Sequence, residues 1–187
     1  MNNIVKLGAI LFGICAVAAL ALGFTNNITA PIIADRNIQA NNEARQIVLK
    51  DATEFKQMDD SVFKGNELVN EMYEGINGSD VVGYTIKTLP KGYGGQIELI
   101  VGISIDGNVT GINMGSMSET PGLGSKAAEP IFKEQFNEKP AEKFSLVKGD
   151  TSADNEIQAI SGATITSTAV TEGVNAAIEV YNSFLKK

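Results

Sequence analysis

The chain opens on an unbroken apolar run and only later acquires the periodic patterns of a folded domain. From Leu7 to Phe24 no charged residue interrupts LGAILFGICAVAALALGF, and such a run at about 1.5 Å per residue makes roughly 27 Å of helix, near the hydrocarbon thickness of a bilayer. The apolar texture continues through Ile28, Thr29, Ala30 and Pro31 to Ile32 and Ile33. A cleaved signal peptide is the competing reading, with Lys6 as its basic end and Ala-Leu-Ala as its exit, but its apolar core would be shorter. A transmembrane helix over residues 7–28 follows, with Pro31 marking its exit. Between Asp35 and Lys50 a thin stripe of Ile38, Ile47 and Val48 predicts a connecting helix.

Strand periodicity begins near residue 80. Val81 to Ile86 reads as a strand, and Leu89 to Gly95 as a turn-rich loop. Ile97, Leu99, Val101, Ile103 and Ile105 then place one apolar face on a period of two, Asp106-Gly107 supplies a hairpin turn, and Val109 to Met114 returns. Pro130 to Asn137 predicts a short helix with Ile131, Phe132 and Phe136 turned inward. Val170, Val174, Ala177, Ile178, Tyr181 and Leu185 recur at three- and four-residue spacing and predict a terminal helix, with Thr166 or Ser167 as its cap. Strands and helices without a repeated strand–helix unit give an α+β fold class, an antiparallel or mixed sheet with flanking helices. The divisions expected are 1–6 before the span, 7–28 in the membrane, 29–79 as connecting helix and linker, and 80–187 as the folded domain.

Composition narrows the chemistry. Lys and Arg number 15 against 22 Asp and Glu, a net charge of −7, so the electrostatic footprint of a nucleic-acid binder is missing. There is no histidine, which removes Ser-His and Cys-His nucleophiles, imidazole metal ligands and a proximal haem ligand. The single cysteine, Cys15, lies inside the apolar run and cannot staple the domain. Ile14 stands before it where a lipidation signal would have a small residue. No catalytic residue and no metal site are expected, and redox chemistry would need an organic cofactor. Lys6 and the amino terminus lie before the span, while Asp35 and Arg36 cancel after it. This asymmetry favours a cytoplasmic N-terminus and an extracytosolic domain in the cell membrane.

Two segments hold more small and hydroxyl residues than a core needs. In Ser161-Gly162-Ala163-Thr164-Ile165-Thr166-Ser167 a glycine and several hydroxyls precede a helix, where free N–H groups and the helix dipole favour an anion such as phosphate. A nucleoside-triphosphate P-loop is disfavoured, because no Gly-Lys-Ser/Thr follows the glycine. Taken alone these are ordinary helix-cap residues. In Glu119-Thr120-Pro121-Gly122-Leu123-Gly124, Pro-Gly suits the centre of a type II turn and Gly124 would let a flat ring approach the backbone. Taken alone this is a turn.

Together the two segments resemble the signatures of the FMN-binding domains found in the Rnf and Na⁺-translocating NADH:quinone reductase complexes. The resemblance covers nearly the whole chain, from the N-terminal span and Thr29-Ala30-Pro31-Ile32 through Gly92-Tyr93-Gly94-Gly95 and the Asp-Gly hairpin, and is strongest to the Rnf branch. It implies FMN joined through its phosphate by a flavin transferase to the last threonine of Ser161-Gly162-Ala163-Thr164. Ser161, Gly162, Ala163 and Thr166 would then surround the phosphate, and Glu119, Thr120, Gly122, Leu123 and Gly124 would border the ring or ribityl chain. Lys126 is a further charge partner to consider. The implied role is an electron relay inside a membrane-bound ferredoxin:NAD⁺ oxidoreductase that translocates ions, partnered by its other membrane and peripheral subunits. A stand-alone extracytosolic flavoprotein, or a non-redox assembly module, would carry the same anchor. One position departs from the family: Gln158 stands where an acidic residue commonly precedes the serine by three.

Overall fold

A computed structural model describes residues 3–185 and divides the chain into two units, Met1–Ala40 and Asn41–Lys187. Residues 1–2 of the expected leading segment, and the side chain of Leu185, lie outside what is described.

The first unit is helical. Helix α1, Asn3–Val48, begins in the apolar run and has the length and composition to cross a membrane. Its large side chains from Ile4 to Ile33 are exposed on every side, as in a helix whose surroundings are apolar all round. Its polar interruptions are satisfied internally: the Thr25 hydroxyl donates to Ala21 O at 2.9 Å and the Thr29 hydroxyl to Thr25 O at 3.0 Å. The helix runs on through Pro31 into the segment expected as a connecting helix. Proline deletes one backbone bond, but in apolar surroundings the remaining backbone groups find their partners only within a helix.

The second unit starts with the last turns of α1. There the buried residues are Ala44, Arg45, Val48 and Leu49, whereas Ile38 and Ile47, expected on the inner stripe, are exposed. Next come β1 (Glu54–Gln57), β2 (Val69–Asn77), β3 (Asp80–Thr88), β4 (Leu99–Ser104), β5 (Asn108–Met114) and β6 (Lys139–Pro140), antiparallel in the order β1-β2-β3-β4-β5-β6. Short β7 (Ser145–Val147) and β8 (Glu156–Gln158) pair in parallel apart from them. The architecture is the expected α+β, but the sheet begins well upstream of residue 80. β2 pairs with β3 along its length, and two register shifts, at Val69/Glu71 and Gly75/Ile76, break the period of two that would have marked it as a strand.

Each face of the sheet has its own cover. Met72, Ile86, Leu99, Val101, Ile103, Val109 and Ile112 form the main core with Val170, Val174, Ala177, Ile178 and Tyr181, which belong to or directly follow the helix Thr164–Val180, as the helical period required. Ile105 instead falls in the β4–β5 turn and is half exposed, because Gly107, at φ 83°, closes the hairpin directly after it. Helix α2 is only Pro130–Lys133, continued by a 3₁₀ turn, and Thr164–Val180 is α3. Phe132 and Phe136 are buried, but Ile131 is 85% exposed, since a single turn presents only one side inward.

On the other face, glycines Gly75, Gly83, Gly102 and Gly111 lie across neighbouring strands, where Gly75 pairs with Gly83 and Gly102 with Gly111. A Cβ at Gly75 or Gly83 would strike Leu49, and one at Gly102 would strike the Val48 carbonyl. This track therefore seats the end of α1, to which the Thr110 hydroxyl adds a hydrogen bond on Val48 O. Beside it Arg45, 3% exposed, lies 3.6 Å above the Tyr73 ring and 3.3 Å from Glu71, which Lys87 meets at 3.5 Å.

Candidate functional site

The two small-residue segments, distant in sequence, meet at the start of α3. This helix begins earlier than the hydroxyl pattern suggested: Ala163 occupies the cap and makes no side-chain capping bond, and Thr164 is the first helical residue. Thr166 and Ser167 are therefore within the first turn and bond elsewhere. The Ser167 hydroxyl donates to Ala163 O at 3.0 Å and accepts from Ile160 N–H at 3.0 Å, which closes the approach to the helix. Gly162 holds φ 78° inside that turn. The first N–H groups of the helix have no partner within it, and the Thr164 side chain is exposed beside them.

The Pro-Gly segment forms the turn its composition demanded. Leu123 N–H donates to Thr120 O at 3.2 Å, Gly122 has φ 75°, and its N–H donates to the Ser125 hydroxyl at 2.9 Å. From that turn Leu123 reaches over Gly162. A third piece is the arm Lys91–Gln96, closed by a bridge between its ends and by Gly92 N–H donating to Gly95 O at 2.8 Å.

Glu119 joins all three. It is 8% exposed, and one carboxylate oxygen accepts from Gly94 N–H at 2.9 Å while the other accepts from the buried Thr166 hydroxyl at 2.5 Å. Cβ atoms at Gly92 or Gly124 would collide with that carboxylate, and one at Gly94 with Ser118 O. The glycines of both the arm and the turn make room for a side chain of the protein.

A cleft of about 580 Å³ opens between these pieces, lined by Tyr93, Glu119, Thr120, Leu123, Gly124, Gly162, Ala163, Thr164, Ile165 and Thr166. Its volume is in the range of small-molecule sites. Of the site residues expected from sequence, Ser161 and Gly122 are not in the lining. Ser161 instead borders a smaller hollow of about 250 Å³ with Lys126 and Gln158, and Lys126 is not among the residues lining the cleft. Tyr93 and Ile165 join the lining without having been expected there. The only sequence signal for Tyr93 is an aromatic residue set among glycines, and Ile165 needs the true helix start.

The donor set suits a flavin phosphate ester. The free N–H groups at the head of α3 are neutral donors, the Thr164 hydroxyl stands among them, and Tyr93, Leu123 and Ile165 offer exposed apolar surface for a flat ring.

Residues 92–179 match the family model described as the FMN-binding domain. The chain is 47% identical to the G subunit of the Na(+)-translocating ferredoxin:NAD(+) oxidoreductase complex of Acetobacterium woodii, over 97% of this chain and 93% of the relative. It is 35% identical to the G subunit of the proton-translocating ferredoxin:NAD(+) oxidoreductase complex of Clostridium ljungdahlii, over 91% and 87%. Among solved structures, the C subunit of the Na(+)-translocating NADH-quinone reductase from Parabacteroides distasonis shares the fold, with TM-score 0.53 and 22% identity over 82% of this chain and 96% of that one. NqrC of Shewanella oneidensis does so at TM-score 0.54 and 19% identity, over 72% and 70%.

Proposed function

We propose that this chain, which belongs to the family of G subunits of ion-translocating ferredoxin:NAD(+) oxidoreductase complexes and carries their FMN-binding domain, relays electrons through an FMN esterified to Thr164. The observation that carries the attachment site is the contrast among the hydroxyls of the motif. Thr164 is exposed, lines the cleft and stands at the head of α3, while Ser161 is exposed but borders the other hollow, Thr166 is buried and committed to Glu119, and Ser167 to Ala163 O. An incoming phosphate can reach the first without breaking the fold.

Bound FMN supplies the reversible redox chemistry. The protein's part is to hold it: the first N–H groups of α3 bind the phosphate oxygens, and Leu123, Ile165 and Tyr93 give the ring an apolar bed. The chain is an electron-carrying subunit of an oxidoreductase complex and not a catalyst alone. Its partners are the other members of the complex and, for maturation, a flavin transferase. Helix α1 anchors it in the cell membrane, with Lys6 on the cytoplasmic side and the FMN domain outside.

Intact mass after co-expression with a flavin transferase tests the reading. Wild type should gain the mass of FMN less that of water, Thr164→Val should gain nothing, and Thr166→Val should still be modified. An unmodified wild type, with the transferase shown active on another substrate, would refute covalent carriage, and a modified Thr164→Val would move the attachment elsewhere.

A further inference from the structure

The cleft that is to hold a phosphate contains no cation. Among the described residues its lining includes no Lys or Arg and a single carboxylate, Glu119. That carboxylate is fixed: it accepts from Gly94 N–H and from Thr166 Oγ1, and Cβ atoms at Gly92 and Gly124 would already touch its oxygens. Thr166 belongs to the first turn of α3, so a buried negative charge is held at the helix end that would otherwise attract an anion. Lys126, which follows the turn, borders another hollow.

We propose that Glu119 is a specificity-determining residue that sets the cleft against free FMN and leaves it suited to the tethered ester. The inference rests on the carrier reading. A free phosphate monoester carries about −1.5 to −2 at pH 7, and a phosphate bridging two carbons, with one ionisable oxygen fewer, carries a single charge. Repulsion by a fixed carboxylate scales with the charge of its guest. The neutral N–H groups of α3 serve the singly charged diester, and the covalent bond replaces the cation that a dianion would need. Free FMN is thereby kept from occupying the cleft before attachment, and phosphate-bearing metabolites are kept out by the same means. Riboflavin, which has no phosphate, carries no charge for Glu119 to repel.

The test uses the full chain, solubilised and expressed without a transferase, titrated with FMN and with riboflavin while flavin fluorescence is followed. Wild type should bind FMN no better than riboflavin. Glu119→Gln, which keeps both the shape and an acceptor for Gly94 N–H, should raise affinity for FMN relative to riboflavin on the order of tenfold as one charge is removed. Thr166→Val, which loses the hydrogen bond but keeps the charge, should show no gain. The proposal is overturned by a wild type that prefers FMN, by a Glu119→Gln variant with no gain for FMN relative to riboflavin (including no binding at all), or by an equal gain in Thr166→Val, which would indicate a loosened cleft. Intact mass of the same wild type after transferase treatment separates the two ideas, because loading there upholds the carrier reading whatever the titration gives.

Discussion

At the scale of single residues, the site turns on small side chains whose purpose is tertiary. Gly124 stands where a Cβ would press on both the Glu119 carboxylate and Thr166 Oγ1. Gly124→Ala should therefore destabilise the second unit by about 1–3 kcal/mol, the range for overpacking a closed site, and slow flavin loading. A urea midpoint equal to wild type would show that the carboxylate has room to move. Local composition is enough to mark this glycine, and the turn around Pro121 and Gly122 forms as its residues require. Its role in the fold is to admit Glu119, and it lines the cleft as well. That role depends on Thr166, 47 positions away from Glu119, and no local pattern couples two such residues. The same holds for Thr166 and Ser167, which resemble caps by composition but are drawn into the first turn by other partners.

At the scale of elements, legibility follows regularity. Strand β4 and helix α3 bury residues at the expected period, and both are evident from spacing. β2 is not, because two bulges shift its register and its α1-side face carries Glu71, Tyr73 and Gly75, residues that meet Arg45 and Leu49. The junction between α3 and the sheet gives a pH prediction. Tyr181, at the end of α3, lies with its ring 6.1 Å from that of Tyr84 on β3 and donates its hydroxyl to Ile105 O at 3.2 Å. Burial pushes both phenols above their ordinary 10.0, helped by Glu74 at Tyr84 and by Asp106 at Tyr181. A raised folded-state value means the unfolded chain loses its protons first. The stabilisation is therefore complete below pH 10 and fades as the pH rises through the folded values. Denaturation midpoints followed from about pH 8 to about pH 11 should fall at the alkaline end, and less steeply in Tyr84→Phe. An identical slope in that variant would assign the alkaline loss to other groups.

At the scale of the whole molecule, the boundary that matters physically is the one between an apolar run and a folded unit with its own core, and it falls inside a helix. Lack of charge marks the membrane run in the sequence, but alternation, the mark of the domain, first becomes visible near residue 80. The second unit of the structure begins at Asn41, because the last turns of α1 cover one face of the sheet through Ala44, Val48 and Leu49 and bring Arg45 to Glu71 and Tyr73. Two truncations ask how much of that segment the fold needs. Residues 41–187 should leave the membrane fraction, remain soluble and unfold in one transition. Residues 54–187 lose Arg45, which leaves Glu71 with Lys87 as its cation and with the Tyr73 hydroxyl, and uncover Ile100 and the glycine track. The lost arm of the ion-pair network and the lost contact over Tyr73 weaken the fold, and the bared sheet face adds an apolar surface prone to association. The shorter chain should thus unfold at markedly lower urea or aggregate on purification. If both truncations unfold at the same midpoint, the end of α1 is only a linker, and the domain does begin at its first regular strands.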